Sequence, residues 1–163
     1  MANRIHVIGS IDDDSYKEFT EVLGALENSG QNKKVVIELS SVGGDVYSAL
    51  AFASRIRTSP LEIHVEAHGL VASAAVIILA VGDKRRMAEE CLVMVHEDSG
   101  KVKGELKVME REVAHLRRME NLWNSLLESY TGTKASVWAN LHSKELYLTA
   151  KECLSLKLVD EII

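Results

Sequence analysis

Apolar and polar positions along this chain change period repeatedly, and each change marks an element. Arg4 to Ile8 alternates apolar and polar residues and ends at Gly9, the period-two signature of a strand. Asp12 to Asp14 and Ser15 then offer N-caps for a helix whose apolar positions are Phe19, Val22, Leu23 and Leu26, closed by Asn28-Ser29-Gly30. Lys34 to Leu39 is a β-branched run expected to form a buried parallel strand. After Ser40-Ser41-Val42-Gly43-Gly44, a helix with Val46, Leu50, Ala53 and Ile56 on one face runs to Ser59-Pro60.

The cycle repeats with a strand over Leu61 to Ala67, a turn at Gly69 into an apolar helix near Ala72 to Val81, and short strands around Lys84 to Ala88 and Cys91 to Val95. From about Gly104 to Tyr130 the pattern is one long, highly charged helix, with Leu106, Met109, Val113, Leu116, Met119, Trp123 and Leu126 at steps of three or four. A coiled coil and a helix leaning out to meet a neighbouring subunit both fit it. Shorter helices near Lys134 to Leu141 and Thr149 to Leu156 and a strand over Leu158 to Ile162 complete an α/β pattern.

Composition narrows the picture. A chain of 163 residues buries roughly two-thirds of its unfolded surface in one core, so a single domain over residues 1–163 is expected. Apolar residues at 47% and charged residues at 26% are ordinary globular values, and the single proline and lack of Ser/Gly-rich tracts leave no place for a linker. With 19 basic against 24 acidic residues the net charge is −5, which offers no positive field to a nucleic acid. The N-terminus has no apolar signal region, and the most apolar stretch, Val71 to Val81, is about half the ~20 residues a membrane span needs, so a cytoplasmic location without membrane insertion is expected. Cys91 and Cys153 lie far apart in apolar segments and read as reduced core thiols; no metal or cofactor is called for.

Chemistry enters at two strand-to-helix turns, because helix N-termini present backbone N–H groups that stabilise oxyanions. Gly43-Gly44 lets backbone N–H groups approach a ligand, and the Gly69 to Ala75 stretch puts the Ser73 hydroxyl among small side chains. Ser73 alone reads as a helix cap, and the paired Gly-Gly turn is what brings in the catalytic reading. An acyl-transfer site needs two converging N–H donors beside a hydroxyl, and Gly44 and Ala74 are the candidates. Of six histidines, His6 and His64 lie in strands, His115 on the charged helix and His142 in a polar connection, where structural or solvated roles are expected; His68 precedes Gly69 without an orienting partner. His96 follows an apolar strand, at the end where α/β sheets gather ligand-binding groups, and position alone leaves it between structural and catalytic.

Four motifs in order resemble the Clp protease proteolytic subunit: Leu39-Ser40-Ser41-Val42-Gly43-Gly44, GLVASAA over 69–75, LVMVHED over 92–98, and Tyr147 to Glu152 followed by Leu158-Val159-Asp160. The resemblance implies a crotonase-like repeated ββα spiral with a protruding helical handle, here about residues 104–131. It also implies a serine endopeptidase acting on peptides or unfolded proteins inside a ring of six or seven subunits, with two rings stacked. Carried over by motif, Ser73 is the nucleophile, His96 the general base, Gly44 and Ala74 the oxyanion donors, and Val42 and Gly43 part of the substrate-lining turn. Glu145, two residues before Tyr147, stands where the family usually has aspartate, with Asp98 as the other acid to consider. Val42 replaces a common proline. The resemblance implies an AAA+ unfoldase partner, yet the residues before Arg4 are too few for the axial loop that usually meets it, as in a phage-type or stand-alone peptidase. Rival expectations are a crotonase-type acyl-coenzyme A enzyme, which would leave the Ser73–His96 pairing unexplained, and a catalytically silent ring or scaffold homologue.

Overall fold

The computed structural model describes residues 3–30, 33–97 and 102–163. Strands β1 (Asn3–Ile11), β2 (Lys34–Gly44) and β3 (Glu62–Ala72) run parallel, each followed by a helix: α1 (Asp13–Ser29), α2 (Val46–Thr58) and α3 (Ala75–Ala80). Strands β4 (Lys84–Met87) and β5 (Leu92–Val95) follow, then α4 (Leu106–Thr131), α5 (Ala135–His142), β6 (Leu146–Leu148), α6 (Ala150–Ser155) and β7 (Glu161–Ile162). The strand order is β1-β2-β3-β4-β7, with β5 pairing to β3 and β6 to β5, the last antiparallel.

The first three strands are longer than their sequence signals because each continues past an irregularity. Register shifts fall between Gly9 and Ser10 and between Leu39 and Ser41, and β3 pairs β4 over His64 to Ala67 but β5 over Leu70 to Ala72. Such irregularities bend strands. Gly9 and Gly69 carry the positive φ values, 94° and 63°, that these bends require. Each of the three strands thus contributes two segments before its helix, which is the repeated ββα unit. The expected helix near Ala72 is corrected accordingly: the backbone stays extended through Ala72, and α3 begins only at Ala75. Every residue of α3 is buried, so its apolar run carried no period with which to separate strand from helix.

Local signals set the other boundaries. Asp12 and Ser15 form a capping box on α1, and Gly30 ends it with a left-handed φ of 64°. Asp45 caps α2, its carboxylate accepting from the Ser48 N–H. The core joins Ile5, Val7, Phe19, Leu23, Ile37, Phe52, Val65 and all of α3. The β2 strand buries Val35, Val36, Ile37 and Leu39, and the face that carries Val36 also carries charge beside it. There Arg4 bridges Glu38 and Glu66, and Arg86 also pairs with Glu66. Cys91 and Cys153 sit in the core as free thiols, pushed by burial up to about 11 and about 12 respectively. No helix among the described residues is long and apolar enough to cross a membrane.

Candidate active site

Parallel pairing of β3 with β5 builds the site. Ala72 lies opposite Met94, and the Ser73 N–H donates to the Met94 carbonyl at 2.9 Å, so the residue after each strand end is brought beside the other. Ser73 does not cap α3; it occupies the tight turn between β3 and α3 with φ 53°, a left-handed conformation that costs a non-glycine residue energy. The turn holds its hydroxyl against the ring of His96, with Oγ to Nε2 2.7 Å. The other ring nitrogen, Nδ1, donates to the Glu97 carbonyl at 2.5 Å, which in the neutral ring selects the tautomer whose Nε2 accepts from the Ser73 hydroxyl.

The glycine pair is packed directly against this turn. A Cβ on Gly43, whose φ is 87°, would stand 2.6 Å from the Ala72 carbonyl oxygen and 2.8 Å from Ser73 Cβ. One on Gly44 would stand 2.2 Å from the Ile11 carbonyl oxygen. Neither position has room for a side chain. Ser41 secures the approach: its hydroxyl donates to the Gly9 carbonyl at 2.5 Å and accepts from the Gly43 N–H at 3.0 Å.

Two grooves open on Ser73. One is lined by Val46, Ala74, Val95, His96, Trp123 and Asn124, with His142 behind them. The other runs from Gly44 to Tyr47 and across to His115, Leu116 and Met119 of α4.

The sequence profile of the Clp protease family matches all of residues 1–163. The chain belongs to the Clp protease family. It is 27% identical to the ATP-dependent Clp protease proteolytic subunit 2 of Mycobacterium leprae over 98% of this chain and 77% of that protein. It is also 27% identical to proteolytic subunit 1 of Rhodococcus jostii, over 98% of this chain and 74% of that one. Among solved structures, a mutant of ClpP1 from Listeria monocytogenes superposes with a TM-score of 0.90 at 23% identity, covering 99% of this chain and 91% of that one. The fold is therefore ClpP/crotonase-like, and the chain is a serine peptidase of the Clp family.

Within this Clp-family fold, Ser73 lies beside His96, Ala74 and Gly43, and Gly44 lines the second groove with Ser73 and His96. Glu145 does not join them by a hydrogen bond. It lies in the turn between α5 and β6 with φ 50° and an exposed side chain, while the Glu97 carbonyl holds the His96 nitrogen an acid would take. Its position in the chain is nonetheless close: the antiparallel register sets Leu146 opposite Val95, one residue before the His96–Glu145 level. Asp98 lies outside the described residues.

Packing places three further histidines. Of the structural and solvated roles expected for His142 it takes the structural one, buried with its Nδ1 3.0 Å from Asn124 Oδ1. His115 is hydrogen-bonded at 2.7 Å to the Tyr47 hydroxyl, tying α4 to the start of α2. His68 lines neither groove. Asn124 and Trp123 were missed as site residues because on sequence they are a polar and an apolar position of an amphipathic helix; the spacing of Trp138 and His142 by four residues was the only signal that one face of α5 turns inward.

Proposed function

We propose that this chain is an endopeptidase that hydrolyses peptides or unfolded proteins, with Ser73 as nucleophile and His96 as general base. The observation that carries the reading is the 2.7 Å contact between Ser73 Oγ and His96 Nε2, made from a left-handed turn. In the reaction Ser73 Oγ attacks the scissile carbonyl carbon while its proton passes to His96 Nε2. The resulting imidazolium exchanges its Nδ1–H bond from the Glu97 carbonyl to Glu145, one register step from Leu146, whose carboxylate offsets the charge. Backbone N–H groups of Gly44 and Ala74 receive the oxyanion. His96 then returns the proton to the departing amine, and water, deprotonated by the same ring, releases the acyl group from Ser73.

Substrate enters extended beside Val42 and Gly43, where Val42 is 62% exposed. Recognition through the peptide backbone gives broad sequence tolerance. The subunits assemble in rings that close the serine inside a chamber, with α4 as the handle between rings. What supports this role for α4 is that Leu106 and Val113, seven residues apart on one helix face, are both exposed. Purified protein is expected to cleave short fluorogenic peptides and to be labelled by a fluorophosphonate. Both properties should vanish in Ser73→Ala, and cleavage in His96→Ala. Equal activity in wild type and both variants would sink the reading.

A further inference from the structure

The groove that runs from Gly44 past Ser73 to α4 has two walls of unequal firmness. One is the start of α2. There the Asp45 N–H donates to the Ile11 carbonyl at 2.8 Å and the Asp45 carboxylate accepts from the Ser48 N–H at 2.7 Å, so the turn is fastened both to β1 and to its own helix. The other wall is α4, which presents His115, Leu116 and Met119. No residue of α4 before Asn124 is buried, so this stretch of helix seats no side chain in the core. One hydrogen bond joins the two walls: the Tyr47 hydroxyl lies 2.7 Å from His115 Nε2. Both side chains are exposed, Tyr47 at 59%.

We propose that this hydrogen bond is a strap across the substrate groove, and that Tyr47 and His115 set the length of chain the site accepts. The inference rests on the peptidase reading above and adds to it two residues that discriminate by substrate length. A peptide laid extended beside Val42 and Gly43 runs on, at one of its ends, past Gly44 toward the first turn of α2. Three residues separate Gly44 from Tyr47, at most about 10 Å of chain, so about three extended substrate residues reach the bond. A short peptide stops before it, whereas a longer one is bound only when the strap opens. The energetics suit a strap rather than a fixed wall. One hydrogen bond between exposed groups shifts an equilibrium by roughly fivefold, because each partner bonds to water once released. A binding-competent form populated at about that fraction weakens the apparent affinity for long chains by the same factor and leaves short ones untouched.

The test uses the purified full chain and internally quenched peptides that share one cleavage sequence, either bare or lengthened by about four residues on one side or the other of the scissile bond. Tyr47→Phe removes the hydroxyl and keeps the ring; His115→Leu removes its partner. Each is expected to raise kcat/KM about fivefold for one of the two lengthened peptides, through KM, and to leave the bare peptide within about twofold of wild type. The double variant should gain no more than either single one, since both remove the same contact. A contact that served only stability would give lower activity on all three peptides when lost, and fluorophosphonate labelling of Ser73 reports the fraction of each variant with a formed site. No gain on either lengthened peptide, an equal gain on the bare one, or additive gains in the double variant overturns the strap. If His115→Leu does not fold, Tyr47→Phe decides alone. Hydrolysis of the bare peptide that survives Ser73→Ala would overturn the peptidase reading instead; where Ser73→Ala abolishes it, the Tyr47→Phe result bears on the strap alone.

Discussion

Ser73 owes its position to its neighbours' lack of bulk. With φ at 53° the residue pays a conformational cost, and the compensation comes from the Met94 carbonyl on its N–H and from Gly43 packed beneath it. The base is oriented by a backbone carbonyl, which is neutral and can hold the tautomer but offers little to an imidazolium. A carboxylate would add charge stabilisation, and Glu145 is the residue in register to supply it. Glu145→Gln is therefore expected to lower kcat by at least about tenfold while leaving KM near its wild-type value, because the charge matters only when His96 is protonated. Steady-state kinetics that show an unchanged kcat would assign the orienting role to the Glu97 carbonyl alone. Ser73, His96 and the glycine pair were legible as a set of motifs; the carbonyl partner of His96 was not, since no side-chain pattern encodes it.

At the scale of elements, the helices are held to one another by polar clamps as well as by the core. Arg55 on α2 forms a bidentate pair with Glu27 on α1, at 2.9 and 2.5 Å, and the Ser59 hydroxyl adds a third bond to the same carboxylate. The Arg55 guanidinium holds the Glu27 carboxyl below its ordinary 4.5. Because the folded value is the lower one, the clamp's contribution is complete above about pH 4.5 and disappears as the pH falls through the folded value. Arg55→Ala should cost about 1–3 kcal/mol near neutral pH and flatten the acid side of the stability profile, as followed by urea unfolding at several pH values. A variant that keeps the wild-type pH profile would mean the pair contributes nothing. Strand lengths were the least legible elements: β2 and β3 run past glycine and serine positions that read as turns, because pairing across the bend with β1 and β5 supplies partners the sequence does not display. β6 was missed for a related reason, being three residues long and defined only by its pairing to β5.

For the whole molecule, the part most poorly explained within one chain is α4. Of its 26 residues only Asn124, Leu127 and Thr131 are buried, all in its last two turns, while Leu106 is 67% exposed at the far end. Each such side chain gains about 1.5–3 kcal/mol when covered, so Leu106 and the exposed Val113 on the same helix face favour association. Leu106→Glu with Val113→Glu is expected to reduce the assembled mass seen by light scattering, by splitting stacked rings, with the circular dichroism spectrum unchanged. A wild-type mass in that variant would remove α4 from the interface.

Sequence by itself determined what short-range physics controls: the caps and ends of α1 and α2, the alternation of strands and helices, the amphipathic period of α4, and the ordered motifs that resemble a Clp peptidase. Tertiary structure decided what depends on partners distant in the chain. Residue 73 became a strained turn rather than a cap because β5 lies beside β3; His142 became a buried structural group because α5 folds onto α4; and Glu145 came into register with His96 without reaching it. Hydrophobic periodicity records which face of a segment is buried, and it carries no information about which other segment does the burying.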